Sequence, residues 1–349
     1  MAKTILGVDI GQDQLKLALV RGNTVLKTAS AEMPENLLRD GRVVSRETVG
    51  ELIRATMKKN GMRANLAAFV LPNEVVFIKN VETPLMSAEQ LQYNLPFEFK
   101  DYITGEMREY VFDYAVVSEP QETAKGKEPA KKLEEGDAAA EEEAPASIEV
   151  MAVGTQRAVL EDAQEFLRKA GLKLVKSAPS ICSYISLLRA QYDVLPSTSD
   201  EYGILDLGYT AVRMYMFRND KYVATRALEI GLSSLDDVLA DVFSVDKHLA
   251  HTYLMSNFDN CQHREECMAA YENIAVELMR ALNFYRFSNP NSALSDVWLC
   301  GGGAVIQPLA ETIGDMLNIQ LHTADELVPG GEDIEECNSY IQAIGITMD

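Results

Sequence analysis

Two Asp-x-Gly turns, Asp9-Ile-Gly11 and Asp206-Leu-Gly208, each set a carboxylate at the end of an apolar run and a glycine in the tight turn that follows. A carboxylate in that position is costly to bury unless its charge meets a cation. The glycine lets backbone N–H groups approach an anion closely. Facing one another, the two turns would grip a phosphate chain and direct both carboxylates at a hydrated Mg²⁺. Lys16 stands seven residues after Asp9, on a returning strand where it would neutralise phosphate charge. Gly301-Gly302-Gly303 follows a short apolar run and opens a helix, so a base or a phosphate can lie against the backbone there. A close-packed strand–helix turn needs the same glycines, and a lone Asp-x-Gly is merely a turn. The weight comes from the order of the three signals and from their repetition.

The elements that must hold these residues follow from periodicity. Residues 4–10 read as a buried strand, 15–20 and 24–31 as the second and third strands of a meander, 47–60 as a helix stopping before Gly61, and 66–71 as another strand. Strand, Asp-x-Gly turn, strand and strand then recur at 203–229, so one unit occurs twice and two similar lobes should face each other across a cleft. Between them, residues 74–177 change character. They comprise strands at Val75–Val81, 110–117 and 148–153, a helix at 88–100 capped by Ser87 and interrupted at Pro96, a helix near 156–170, and a strand at 172–177. This is an inserted α+β subdomain. Residues 119–146 carry one Leu and no aromatic, which cannot bury a core, and read as a disordered loop. Helices are expected at 180–191, 233–243, across roughly 246–288, at 305–317 and at 337–347.

At 349 residues with a net charge of −21, the chain has room for a large core and lacks the basic surface that nucleic acid or an anionic membrane face requires. It shows no signal-peptide pattern and no apolar run of transmembrane length, and its five scattered cysteines suit reduced thiols. These features predict a cytoplasmic protein without direct membrane insertion. Cys261, His263 and Cys267 offer soft ligands, but Cys261 and His263 point to different helix faces and no second pair stands at zinc spacing. His248 and His251 read as surface residues on one helix face, and Phe284-Tyr-Arg-Phe287 as core.

The two Asp-x-Gly hairpins resemble the phosphate-1 and phosphate-2 motifs, and Gly301-Gly302-Gly303-Ala304 the adenosine motif, of the actin, Hsp70 and sugar-kinase superfamily. Residues 180–191 and 337–347, with Ala343-Ile-Gly345, look like its two inter-lobe connecting helices. Within that superfamily, Ile78-Lys-Asn-Val-Glu-Thr-Pro-Leu-Met-Ser-Ala-Glu-Gln-Leu, Pro96-Phe-Glu and Val111-Phe-Asp-Tyr are similar to the extra subdomain of the PilM family, shared in position with cell-division FtsA. The resemblance implies an α/β, actin-like (ribonuclease H-like) two-lobed fold with the inserted subdomain. Its first lobe would comprise 1–73 and 178–194, the insert 74–177, the second lobe 195–336, and a connecting helix 337–349.

The resemblance also implies ATP or ADP with Mg²⁺ in the cleft, held by Asp9, Gly11, Lys16, Asp206, Gly208, Gly231 and Gly301–Gly303, with Asp9 and Asp206 reaching the metal through water. Glu277 and Arg280 would face the nucleoside, or else form a solvated ion pair. No catalytic base is assigned. Where the family offers Ser or Thr after the first hairpin glycine, Gln12-Asp13-Gln14 stands here. Tyr209-Thr-Ala-Val212 replaces the small cluster of the second hairpin, and Leu232 a second glycine after Gly231. These departures imply weak binding, or binding with at most slow ATPase turnover. The implied role is a scaffold of type IV pilus or related secretion assembly, recruited to the membrane by the cytoplasmic N-terminal tail of a PilN-like inner-membrane protein. That tail would dock in a groove walled by Val75, Phe77, Leu91, Tyr93, Leu95 and Phe97, of which Phe77 and Leu91 are expected in the subdomain's own core. Self-association stays open, as do three alternatives: a pseudo-ATPase scaffold, a sugar or metabolite kinase, and an FtsA-like filament-forming division protein.

Overall fold

A computed structural model describes residues 2–121, 147–191, 200–218 and 221–348. The chain divides into two units, Met1–Pro72 with Asp162–Asp349, and Asn73–Glu161.

The first unit opens with the expected meander, β1 (Thr4–Ile10), β2 (Gln14–Arg21) and β3 (Thr24–Glu32), paired antiparallel. A two-residue ribbon, β4 (Leu38–Arg39) and β5 (Arg42–Val43), leads to α1 (Arg46–Lys59). Ser45 caps α1 by accepting from the Thr48 N–H, Glu47 lies in the first turn, and Lys58 and Lys59 lie in the last, all favourable to the helix dipole. Then β6 (Leu66–Leu71) runs parallel to β1.

The second unit holds β7 (Val76–Pro84), α2 (Ala88–Glu98), β8 (Tyr110–Gln121) and β9 (Ser147–Gln156), with sheet order β7-β9-β8. Ser87 and Gln90 form a complete capping box at the start of α2. The helix runs on through Pro96 to Glu98, where an interruption was expected. Strand β8 reaches Gln121, three residues into the expected loop, because it keeps pairing with β9. The remainder of that loop, residues 122–146, lies outside the described residues. Val81, Leu91, Leu95, Phe99, Ile148, Val150 and Ala152 form the core of this unit.

After α3 (Arg157–Lys169), β10 (Lys173–Pro179) pairs parallel with β6, giving the first lobe a sheet of order β10-β6-β1-β2-β3. Residues 173–177 therefore belong to that sheet and not to the insert expected at 74–177, because β10 satisfies the backbone groups that β6 would otherwise leave at an open edge.

Helix α4 (Ser180–Ala190) leads to β11 (Glu201–Leu207), β12 (Val212–Arg218) and β13 (Lys221–Leu228). The helices α5 (Leu232–Phe243), α6 (Lys247–Ser256) and α7 (Glu265–Ser288) follow, then β14 (Asp296–Cys300), α8 (Gln307–Leu317) and β15 (Gln320–Thr323). The single helical region expected over 246–288 is split between α6 and α7 by left-handed residues at Asn257, Asp259 and Asn260. The second sheet has the order β13-β12-β11-β14-β15. Both sheets thus comprise an antiparallel meander, one parallel strand beside its first member and a further parallel strand at the edge. The duplication visible over three strands in sequence extends over five.

The chain ends on α9 (Ile341–Gly345), one short helix preceded by a 3₁₀ turn at Cys337–Ser339, where a longer connecting helix was expected. Its approach to its neighbours is very close. A Cβ on Gly7 of β1 would lie 1.7 Å from the Ala343 carbonyl oxygen, and one on Gly345 would lie 2.3 Å from that of Ser183 on α4. Phe284 and Phe287, expected in the core, are 58% and 86% exposed; Tyr285 alone of that run turns inward. They lie one and two steps away from the buried stripe of α7, which Tyr285 shares with Leu278 and Leu282. No helix among the described residues is long and apolar enough to cross a membrane.

Because rigid backbone opposes it, Gly7→Ala should cost about 3 kcal/mol, read as a lowered midpoint in urea unfolding. Leu95→Ala should cost about 2–4 kcal/mol, whereas Tyr93→Ala, exposed on the same helix, should change stability by less than about 0.5 kcal/mol.

Candidate functional site

The pairing of β1 with β2 sets Asp9 opposite Lys16, and that of β11 with β12 sets Asp206 opposite Arg213. Each carboxylate at a strand end thus has a cation across the ladder at the same seven-residue offset. Lys16 was legible in the sequence; Arg213 was missed, although applying the same offset to the second copy finds it.

Asp206 is 5% exposed at the end of β11. Gln342 on α9 donates from Nε2 to Asp206 Oδ2 at 2.9 Å and to the Tyr184 hydroxyl at 2.9 Å. Tyr184 on α4 hydrogen-bonds the same carboxylate. The connecting helices α4 and α9 therefore meet on one charge. Burial pushes the Asp206 carboxyl up, and Arg213, Lys16 and these hydrogen bonds pull it back only in part. Burial, followed by the nearby Asp206 charge, pushes the Tyr184 hydroxyl and the Cys300 thiol well up, so both remain neutral donors.

Asp9 is half-buried. Burial raises its pKa to about 6; Lys16 opposes the rise, while Asp206 and Asp13 add to it. The two Asp-x-Gly carboxylates therefore sense each other, and the protein's own cations do not discharge them.

The glycine turns fit together around this pair. In the first hairpin the Gly11 N–H donates to the Gln14 carbonyl at 2.9 Å. The second is tied to the start of α5, where Leu232 N–H donates to the Gly208 carbonyl at 3.1 Å and Ser233 N–H to that of Tyr209 at 2.9 Å. Gly231 caps that helix and has no room for a side chain, since a Cβ would lie 2.4 Å from the Tyr209 carbonyl oxygen. Gly301 adopts φ +87° and carries its backbone against Asp206, whose Oδ1 would be 2.5 Å from a Cβ there. Gly303 packs on Leu207. Gly302 differs: a Cβ would meet only Leu232, at 3.6 Å, which leaves its backbone face open for a flat group. Two under-compensated carboxylates supply the hard oxygen donors a hydrated divalent cation prefers. With an open glycine face beside them, the residues fit a metal-bound nucleotide.

Glu277 and Arg280 are joined to each other as an ion pair on α7, with Arg280 69% exposed. The structure thus brings Asp9, Lys16, Asp206, Gly208, Gly231 and Gly301 into one cluster, and pairs Glu277 with Arg280 on α7, away from that cluster among the described residues. Gln342 and Tyr184 carried no local sequence signal, because they reach Asp206 from helices distant in the chain. Among the described residues no cluster of three or more His, Cys, Asp or Glu could itself chelate a metal ion, and Cys261 and Cys267 are buried apolar residues.

The sequence matches the type IV pilus assembly protein PilM family over residues 7–129 and 137–329. The fold is similar to that in a solved PilM–PilN type IV pilus biogenesis complex, with 22% identity, a TM-score of 0.78, and coverage of 98% of this chain and 97% of that one. It also resembles the ethanolamine utilization protein EutJ from Carboxydothermus hydrogenoformans, with 14% identity, a TM-score of 0.59, and coverage of 100% and 89%. MreB5 of Spiroplasma citri, solved bound to ADP, aligns with 9% identity, a TM-score of 0.50, and coverage of 99% and 95%. These neighbours share the actin-like ATPase fold. No curated protein matches the sequence.

The raised Asp9 carboxyl has a defined linkage. Its folded pKa of about 6 lies above the ordinary value of 3.8, so the folded state holds the extra proton between those limits. Stability from this group is present at low pH and is lost as pH rises through about 6. Without ligand, Asp9→Asn should therefore stabilise the protein at pH 7.5 by about 1–2 kcal/mol, and the variant should lose this part of the pH dependence in thermal melts taken from pH 4 to 7.5.

Proposed function

The chain belongs to the type IV pilus assembly protein PilM family, and from that membership we propose that it is the ATP-binding, actin-like scaffold of a pilus or related secretion machine. One observation supports the nucleotide part: the strand-end carboxylates of Asp9, half-buried, and Asp206, buried, lie close enough to sense each other, and the neighbouring Lys16 and Arg213 do not offset their burial. A Mg²⁺ held through water by the pair, with the phosphates on the Gly11 and Gly208 hairpins and the nucleoside on Gly302, supplies further positive charge. Lys16 draws on the same phosphates. Gln342 and Tyr184 bind Asp206 from α9 and α4, so a charge change there is felt directly by the helices that join the lobes. Nucleotide state would set lobe closure by this route. Asp13 and the bulky Tyr209 in the hairpins favour binding over rapid turnover.

The partner part rests on the unit Asn73–Glu161. Leu91 and Leu95 are buried in its core, Phe77 is half-buried against that core, and Val75 is half-buried. Tyr93 and Phe97 are 75% and 60% exposed, with ring centroids 6.2 Å apart on α2. Two adjacent exposed aromatics are a natural anchor for a partly apolar peptide, and the −21 net charge favours one carrying Lys or Arg. The partner of this kind is the N-terminal cytoplasmic tail of a PilN-like inner-membrane protein, which would recruit the chain to the inner face of that membrane.

Calorimetry with ATP and ADP, with and without Mg²⁺, tests the nucleotide part. Binding should require Mg²⁺ and weaken at least about tenfold in Asp206→Ala. Absence of binding at millimolar nucleotide would leave a scaffold of the pseudo-ATPase kind. For the partner part, fluorescence titration with the tail peptide should show at least about tenfold weaker binding in the Tyr93→Ala, Phe97→Ala double variant; equal binding by that variant would remove α2 from the interface.

A further inference from the structure

The second lobe carries a buried acid that the nucleotide reading does not use. Asp236 on α5 is 0% exposed, and both its oxygens lie 3.1 Å from Nδ1 of His251 on α6. The Tyr209 hydroxyl hydrogen-bonds the same carboxylate, and the Tyr209 ring meets the His251 ring edge-on at 5.5 Å. Tyr209 directly follows Gly208 of the second hairpin. His251 and Tyr209 line one groove of about 410 Å³ together with Gln12, Asp13 and Gln14 of the first hairpin. A histidine whose Nδ1 is fixed on a buried carboxylate thus stands where the two phosphate hairpins open, and its other ring nitrogen is the one left to meet a ligand.

We propose that His251, oriented by Asp236, is the cation that contacts the terminal phosphate of a nucleoside triphosphate and so makes this cleft prefer triphosphate over diphosphate. The inference rests on the nucleotide-binding reading above and refines it. It also accounts for two departures from the phosphate-motif pattern as one arrangement. Asp13 brings negative charge beside the phosphates, and Tyr209 fills the space of smaller residues; both border the imidazole that offsets the one and packs against the other.

The charges around the ring support this assignment. The hydrogen bond to Asp236 pushes the His251 pKa up, burial opposes it, and the Asp236, Asp13 and Glu32 charges push it further. Asp237 of α5 is paired with Lys247 at 2.8 Å, and His248 with Glu32 of β3 at 3.1 Å, both on exposed side chains. Glu35 completes the acidic wall of the groove. Of the three basic residues on this stretch of α6, His251 is the one whose partner is fully buried and whose ring borders a hairpin.

The test is calorimetry of ATP and ADP with excess Mg²⁺ on the full chain from pH 6 to 8.5, for wild type and His251→Gln. In parallel, the His251 ring is followed by NMR with and without each nucleotide. Wild type should bind ATP about five- to tenfold more tightly at pH 6 than at pH 8.5, with ADP changing less than about twofold. ATP, but not ADP, should raise the His251 titration midpoint. His251→Gln should lose the pH dependence and weaken ATP about fivefold while leaving ADP binding intact. Unchanged ATP-over-ADP preference in His251→Gln, or a ring signal indifferent to ATP, overturns the inference and leaves nucleotide binding standing. Failure of wild type to bind either nucleotide overturns both.

Discussion

The buried carboxylate of Asp206 is the interaction on which this structure turns. It sits at the end of β11, 5% exposed, and receives Gln342 and Tyr184 from the two helices that run between the lobes. A charge desolvated to that extent costs several kcal/mol unless it is hydrogen-bonded and compensated. Gln342 and Tyr184 supply hydrogen bonds, but the charge compensation is shared with a second carboxylate: Lys16 and Arg213 act on Asp206, and Lys16 must also serve Asp9. Both acids end up with raised pKa values, which says that burial outweighs the protein's own cations. A site left short of positive charge is prepared for an external cation.

The backbone around the pair shows how closely the rest of the fold is committed to that arrangement. Gly7 and Gly345 let α9 lie directly on β1 and α4, with carbonyl oxygens where side chains would otherwise be. Without that approach Gln342 could not reach Asp206. Gly301 and Gly231 serve the same end in the second lobe, bringing the turn at Gly301–Gly303 against the carboxylate and the second hairpin against the start of α5. The two sheets repeat one strand order, and the Asp-x-Gly hairpins at the ends of their first strands bring Asp9 and Asp206 within reach of each other.

Much of this was legible in the residues. The Asp-x-Gly turns, Lys16, the glycine run and the repeated meander are local patterns, and local patterns survive translation into structure. The Ser87 capping box was readable for the same reason. What failed was non-local. The edge strand β10 looked like part of the insert because it follows the insert in sequence, yet its hydrogen bonds go to β6. The aromatic run at 284–287 looked like core by composition, but only Tyr285 lies on the buried stripe of α7. Gln342, Tyr184, Asp236 and His251 carry no motif. They become functional candidates only when distant helices bring them to a carboxylate or a hairpin. Arg213 was within reach of the sequence, since it repeats the offset of Lys16 from Asp9.

The role proposed for Asp9 and Asp206 is to hold, through water, a divalent cation bound to nucleotide. The most direct measurement replaces Mg²⁺ with Mn²⁺ and records the electron paramagnetic resonance spectrum of Mn²⁺–ATP as the protein is added. A stoichiometric change to a protein-bound manganese spectrum is expected in the wild type, strongly reduced in Asp206→Asn. A Mn²⁺–ATP spectrum that is unaffected by the wild-type protein would contradict it.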